Sequence, residues 1–207
     1  MRAWKRAAKL RAVESERAMP RLFTALELPE RVRARLGLIR GPLAGARWVE
    51  PENFHITLRF AGDIDNRTAD EFAGFLDDIE IGPFEIRVSG LGAFGGRTPR
   101  VIWAGVEGGE QLDHLQRAHE RAARSAGLEP DPQTYRPHVT LARLRGTRAD
   151  AVARFLGSRG AVISEPFRVE RFVLFSARPG SGGGPYVPEH TFPLAPGFGY
   201  EPDEAGL

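Results

Sequence analysis

One tetrapeptide pattern occurs twice: His55-Ile56-Thr57-Leu58 returns half a chain later as His138-Val139-Thr140-Leu141. Each copy sits in a β-branched, apolar run (FHITLRFA at 54–61, PHVTLARL at 137–144) that predicts a strand. Residues i and i+2 of a strand share a face. Each copy therefore sets an imidazole beside a hydroxyl, with Ile56, Leu58, Val139 and Leu141 packing behind. Pro51 lies shortly before the first copy and Pro137 immediately before the second, where they mark strand starts. A duplicated strand implies halves related by a pseudo-two-fold axis, with one imidazole–hydroxyl pair on each side of a cleft.

The remaining elements fit that frame. Strands are expected at 21–28, 84–90, 100–106, 166–176 and 186–194. Pro29 suits the first turn of a helix running to about Arg40, ended by Gly41-Pro42. A helix follows the turn at 63–67 and runs to about Ile79, with Thr68 and Glu71 at capping-box spacing. Helix 110–126 carries Leu112, Leu115, His119, Ala122 and Ala126 on one stripe and stops at Gly127, and a short helix spans about 148–157. Gly-rich loops are expected at 92–96 and 178–185. Many connections are short enough for hairpins, which favours α+β with antiparallel sheets over a doubly wound parallel sheet.

Composition excludes several functions. The chain has no cysteine, so disulfide and thiolate chemistry are ruled out. No apolar run approaches the roughly 18 residues of a spanning helix, and the first residues lack a signal peptide's apolar core, so a cytoplasmic protein is expected. Residues 1–18 hold six basic side chains (Arg2, Lys5, Arg6, Lys9, Arg11, Arg17) against Glu14 and Glu16. The whole chain carries only +2, so the remainder is slightly acidic. Broad polycationic binding of nucleic acid is unsupported, and phosphate recognition must come from a few placed arginines. Residues 1–18 read as an extension, 19–194 as one bilobal domain, and 195–207 as a Pro- and Gly-rich tail.

The repeated motif suits displacement at phosphorus. In-line attack needs a base on the entering side and an acid on the leaving side, and histidine serves as either near neutral pH. Thr57 and Thr140 are placed to donate to nonbridging oxygens, whose charge grows in the transition state.

With RLFTALELP, Trp48-Val49 ahead of PENFHITLRFAGD, PRVIWAGV at 99–106, RPHVTLAR at 136–143, FVLFSAR, and GPY followed by FPL, the chain resembles the two-histidine (2H) phosphoesterases. Among them it is most similar to the RNA 2′,3′-cyclic phosphodiesterases first described as 2′-5′ RNA ligases. The resemblance covers about residues 19–194. It implies a two-lobed α+β fold, with two antiparallel sheets lining a central cleft and helices outside, and no metal or other cofactor. It implies His55 as proton donor, His138 as proton acceptor, and an RNA or nucleotide substrate whose cyclic phosphate opens to a 2′-phosphate. Residues 1–18 precede the family's usual start, and the lysine-poor loop at 180–184 departs from it. A monomer is expected.

Further residues are candidates for substrate contact. The family places an arginine near the phosphate at the position of Arg143. On a regular strand, His138+5 faces away, so that role needs a twist, a bulge or the strand end. Arg59, at His55+4, shares the His55 face on a regular strand. Trp48, Phe94, Trp103 and Tyr186 are candidates for stacking on a base, with core packing as the competing reading. His119 reads as a core-edge residue, His114 as solvated, and His190 shows no partner. A metal hydrolase would need clustered ligands, yet His114 and His119, five apart, share no helical face. A noncatalytic RNA-binding module would not need both histidines. Other 2H activities remain open: 2′,5′ ligation, or hydrolysis of small cyclic nucleotides or of ADP-ribose cyclic phosphate.

Overall fold

The computed structural model describes residues 21–159, 161–177 and 186–195. Among them are nine strands: β1 (Arg21–Glu27), β2 (Ala46–Trp48), β3 (His55–Asp63), β4 (Phe84–Phe94), β5 (Val101–Glu107), β6 (His138–Leu144), β7 (Phe167–Val169), β8 (Arg171–Ala177) and β9 (Tyr186–Pro193). Four helices accompany them: α1 (Glu30–Gly37), α2 (Asn66–Leu76), α3 (Gly109–Ser125) and α4 (Ala149–Gly157). The expected extension at 1–18, the loop at 178–185 and the tail beyond Ala195 lie outside the described residues. None of the described helices is long and apolar enough to cross a membrane.

The strands pair antiparallel in the order β7-β4-β5-β6-β3-β1-β8-β9, with β2 also on β6. That order reads outward from its middle as two matching halves, β3-β1-β8-β9 and β6-β5-β4-β7. The two expected sheets are thus four-stranded halves of one curled sheet. They meet at a single register pair, Ile56 opposite Val139. Beyond that pair β3 departs, and β2 takes up the edge of β6 from Ala142 to Leu144.

One face of the sheet supplies the core. Leu26, Ile56, Ile86, Ile102, Leu141 and Phe172 are fully buried there, joined by Phe72 and Leu76 of α2 and by Leu112 and Leu115 of α3. Each such side chain contributes about 1.5–3 kcal/mol relative to exposure. His119 belongs to this layer: it is fully buried, donates from Nδ1 to the Leu115 carbonyl at 2.8 Å, and meets Phe172 edge-on at 4.4 Å. His190 packs against Phe192 at 4.4 Å, although the sequence showed it no partner.

Element boundaries differ from expectation for local reasons. α1 stops at Gly37, and Leu38, Ile39 and Arg40 instead donate to carbonyls three residues back. That tighter three-residue spacing replaces the last expected α-helical turn. The cap of α2 is Asp65, which accepts the Thr68 N–H at 2.8 Å, and Glu71 pairs with Arg67 at 2.9 Å rather than closing a capping box. β4 runs on through the expected loop because Gly90, at φ 76°, absorbs a register shift between Val88 and Leu91. The expected strand at 166–176 divides at Glu170. β7 joins β4 in one half, and β8 joins β1 in the other.

Candidate active site

The Ile56–Val139 pair fixes the geometry of the two motifs. Both side chains are fully buried. In an antiparallel pair the flanking residues face each other in reverse order, so His55 stands opposite Thr140 and Thr57 opposite His138. All four are partly exposed, on the face away from the core. Two strands thus build a four-residue polar patch in which each histidine is diagonal to the other.

Each imidazole is anchored in the same way. His55 Nδ1 lies 2.8 Å from the Asn53 carbonyl, and His138 Nδ1 lies 2.6 Å from the Arg136 carbonyl. A carbonyl only accepts, so Nδ1 carries the hydrogen in both rings and Nε2 is left for proton transfer. Burial holds the His55 pKa down at about 4, opposed by the bond to Asn53 and assisted by the nearby charges of His138 and Arg143. Burial also lowers His138, opposed by the bond to Arg136. Free of ligand, both rings are neutral at pH 7.

The two arginine candidates trade places because both strands are bulged. On β3, Ala25 pairs with Thr57 but Thr24 pairs with Arg59, which leaves Leu58 as the extra residue. The bulge reverses the alternation, so Arg59 turns to the core face and Phe60 to the site face. Arg59 is 6% exposed, its Nε lies 2.6 Å from Glu120 of α3, and it also donates to the Phe60 and Glu129 carbonyls. The expectation that Arg59 reaches the His55 side fails for this reason. On β6, Trp103 pairs with Thr140 and Ile102 with Ala142, leaving Leu141 extra. Here the bulge brings Arg143 back to the side of His138 and Thr140, exposed.

Aromatic rings hold each histidine. Phe23 and Tyr186 each lie 5.0 Å from His55. Phe94 lies 5.0 Å from His138 edge-on, and Trp103 lies 6.4 Å from it. A Cβ on Gly92 would fall 2.3 Å from the Trp103 ring, so only glycine admits the indole there. Trp48 is not part of this face. It pairs with Ala142 on the core side, packs on Phe155 at 5.4 Å, and donates from Nε1 to the Gly41 carbonyl at 3.1 Å. Sequence reasoning missed Phe23 and Phe60: the signal for Phe23 was the regular alternation of RLFTALE, whereas a bulge-free reading of FHITLRF turns Phe60 to the wrong face. Phe60 is 40% exposed and stacks 6.5 Å from Phe23. A pocket opens beside His55, lined by Arg33, Asn53, Arg171, Phe175 and Tyr186 among others.

Among the described residues no three His, Asp or Glu side chains converge to hold a cation. The profile of the family described as LigT like Phosphoesterase matches residues 26–103 and 106–186. An RNA 2′,3′-cyclic phosphodiesterase of Methanothermobacter thermautotrophicus is 33% identical over 182 residues, covering 84% of this chain and 98% of that protein. Another, from Aeropyrum pernix, is 44% identical over 117 residues, covering 55% of this chain and 66% of that protein. Among solved structures, TT0787 of Thermus thermophilus superposes with a TM-score of 0.71 at 26% identity, covering 86% of this chain and 99% of that one. Escherichia coli LigT complexed with 3′-AMP gives 0.69 at 22% identity, covering 84% and 98%, and shows the shared fold.

Proposed function

The chain belongs to the LigT-like phosphoesterases, and from that premise we propose that it hydrolyses RNA 2′,3′-cyclic phosphate ends to 2′-phosphomonoesters, using two histidines and no metal. The observation that carries this reading is the opposition of two identically anchored imidazoles, each beside the other strand's threonine.

The phosphorus sits over the Ile56–Val139 pair, between the two Nε2 atoms. His138 Nε2 takes a proton from water as the water oxygen bonds to phosphorus. His55 Nε2 gives its proton to the ribose 3′ oxygen as the P–O3′ bond breaks, leaving a 2′-phosphate and a free 3′ hydroxyl. Thr57 and Thr140 donate to the nonbridging oxygens, and Arg143 balances their negative charge. A bound phosphodiester anion raises a nearby histidine pKa. The substrate therefore charges His55, which is neutral without it, and arms the acid. Phe94 and Tyr186 frame the cleft beside the two rings and offer faces to the nucleoside.

His55→Ala and His138→Ala, assayed on a cyclic-phosphate-ended oligoribonucleotide with and without EDTA, test the proposal. Wild-type turnover persists in chelator, and each variant loses about 10²–10⁴ in rate. Retention of a tenth of the activity by either variant, or an EDTA loss restored by a divalent ion, contradicts it.

A further inference from the structure

The cross-strand row that contains Arg143 holds a second arginine. On β2, Arg47 is directly opposite Arg143, while Trp48 and Ala142 form the next pair on the core side. Directly opposed residues share a face, so Arg47 points to the same side as Arg143, His138 and Thr140. It is exposed. Neither guanidinium forms an ion pair with a carboxylate among the described residues. Like charges directly opposite destabilise a strand pair, unless an anion lies between or beside them. The facing pair of arginines has no counterpart among the described residues of the other half. The position equivalent to Arg143 in the other half is Phe60, and there Arg21 is held 5.0 Å over the Phe60 ring.

Resting on the two-histidine reading above, we propose that Arg47 contacts the phosphodiester on the 5′ side of the cyclic phosphate, so that the site takes the end of an RNA strand in preference to a free cyclic nucleotide. Arg143 is the cation nearer the reacting phosphorus, because it shares a strand with His138 and Thr140. Arg47 is one strand further out, about 4.7–4.9 Å away across the sheet. A nucleotide bearing a 2′,3′-cyclic phosphate is the last of its strand, so the nearest second phosphate is the one on its 5′ side. A 2′,3′-cyclic mononucleotide lacks that phosphate and leaves Arg47 without a partner.

The experiment compares Arg47→Ala and Arg47→Lys with the unmodified protein on two substrates, a cyclic-phosphate-ended oligoribonucleotide and 2′,3′-cyclic AMP, across a salt series. Arg47→Ala lowers kcat/KM on the oligonucleotide about tenfold, through KM, as expected for one charge-assisted contact. On cyclic AMP it stays within about twofold. The salt slope for the oligonucleotide falls by about 0.7, the single-strand value for one phosphate contact, and Arg47→Lys keeps that slope. Equal losses on both substrates would place both arginines on the cyclic phosphate and overturn the proposal, as would no loss on either. Dissociation constants for a 2′-phosphate-ended oligonucleotide and for 2′-AMP show the same contrast without turnover. That arm separates failure of the Arg47 contact from failure of the two-histidine chemistry, which His138→Ala reports alone.

Discussion

The half around β3 and the half around β6 carry the same tetrapeptide pattern, the same carbonyl anchor two residues before each histidine, and the same one-residue bulge at the motif's last residue. On the site face they part at the fifth residue beyond the histidine, which is Phe60 in one and Arg143 in the other. They part again in burial. His55 lies behind Phe23 and Tyr186 and is held at about 4, while His138 stands nearer solvent. On the two-histidine reading, duplication would supply a symmetric pair of proton carriers, and the residues that were not duplicated would give the site a direction. With Arg143 on the His138 strand and Phe60, under Arg21, at the matching place on the His55 strand, the two sides should not bind a ribose cyclic phosphate equally well both ways round.

The largest effects should separate acid from base. His55→Ala and His138→Ala each lose about 10²–10⁴ on the cyclic phosphate, so that substrate alone does not tell them apart. A p-nitrophenyl phosphodiester leaves without needing a proton. On it, His55→Ala should recover most of its rate relative to wild type, and His138→Ala should not. Recovery by His138→Ala instead would exchange the two roles.

Next in size are the threonines. Thr57→Val and Thr140→Val should each raise the barrier by about 2–3 kcal/mol, the effect of losing one oxyanion donor. Phosphorus NMR of the product sharpens the comparison further. Wild type should give the 2′-phosphate, and replacing Phe60 by arginine, which restores the symmetry, should admit 3′-phosphate. A product ratio unmoved by Phe60→Arg would show that the direction is set elsewhere.

The two bulge arginines should behave as opposites. Arg143→Met should lower turnover and leave the melting temperature unchanged or slightly higher, because the side chain is exposed and directly faces the like charge of Arg47. Arg59→Met leaves the half-buried Glu120 carboxylate without its partner, and losing such a charged contact destabilises by about 1.5–3 kcal/mol. Thermal melts and steady-state rates on both variants check this.

That contrast also marks how far the sequence could be read. The two strands, the pairing of imidazole with hydroxyl, the α+β class and most elements follow from period-2 and 3.6 patterning, because each is a local property of the chain. The bulges at Leu58 and Leu141 are not local. They arise where a strand must keep register with a neighbour supplied by a distant segment, Thr24–Ala25 for β3 and Ile102–Trp103 for β6. Strict alternation therefore put Arg59 in the site and Arg143 outside it, and the structure reverses both. β2 was missed for a related reason: its three residues have no periodicity of their own and are extended because the edge of β6 is free there. Trp48 went with it, since its side is decided by the pairing with Ala142.

The smallest effects concern pH, and their sign follows from burial. His55 and the core residue His119 are both held at about 4, below the ordinary 6.5, because their charged forms are desolvated. A histidine depressed in the folded state takes up its proton more readily when unfolded, so stability is full above about pH 6.5 and falls as pH drops toward 4. Activity has the same origin and a different shape. kcat/KM reports the free protein, in which one histidine must be charged and the other neutral, so its bell should be centred below pH 6.5. kcat reports the complex, where the phosphate anion raises His55, so its optimum should lie at higher pH. Replacing Arg143 by methionine removes a charge that depresses His55 and should shift the kcat/KM bell upward. Measured profiles with kcat/KM and kcat optima coincident near neutrality would mean that both histidines are solvated alike, and the difference between the two halves would then lie in their substrate contacts alone.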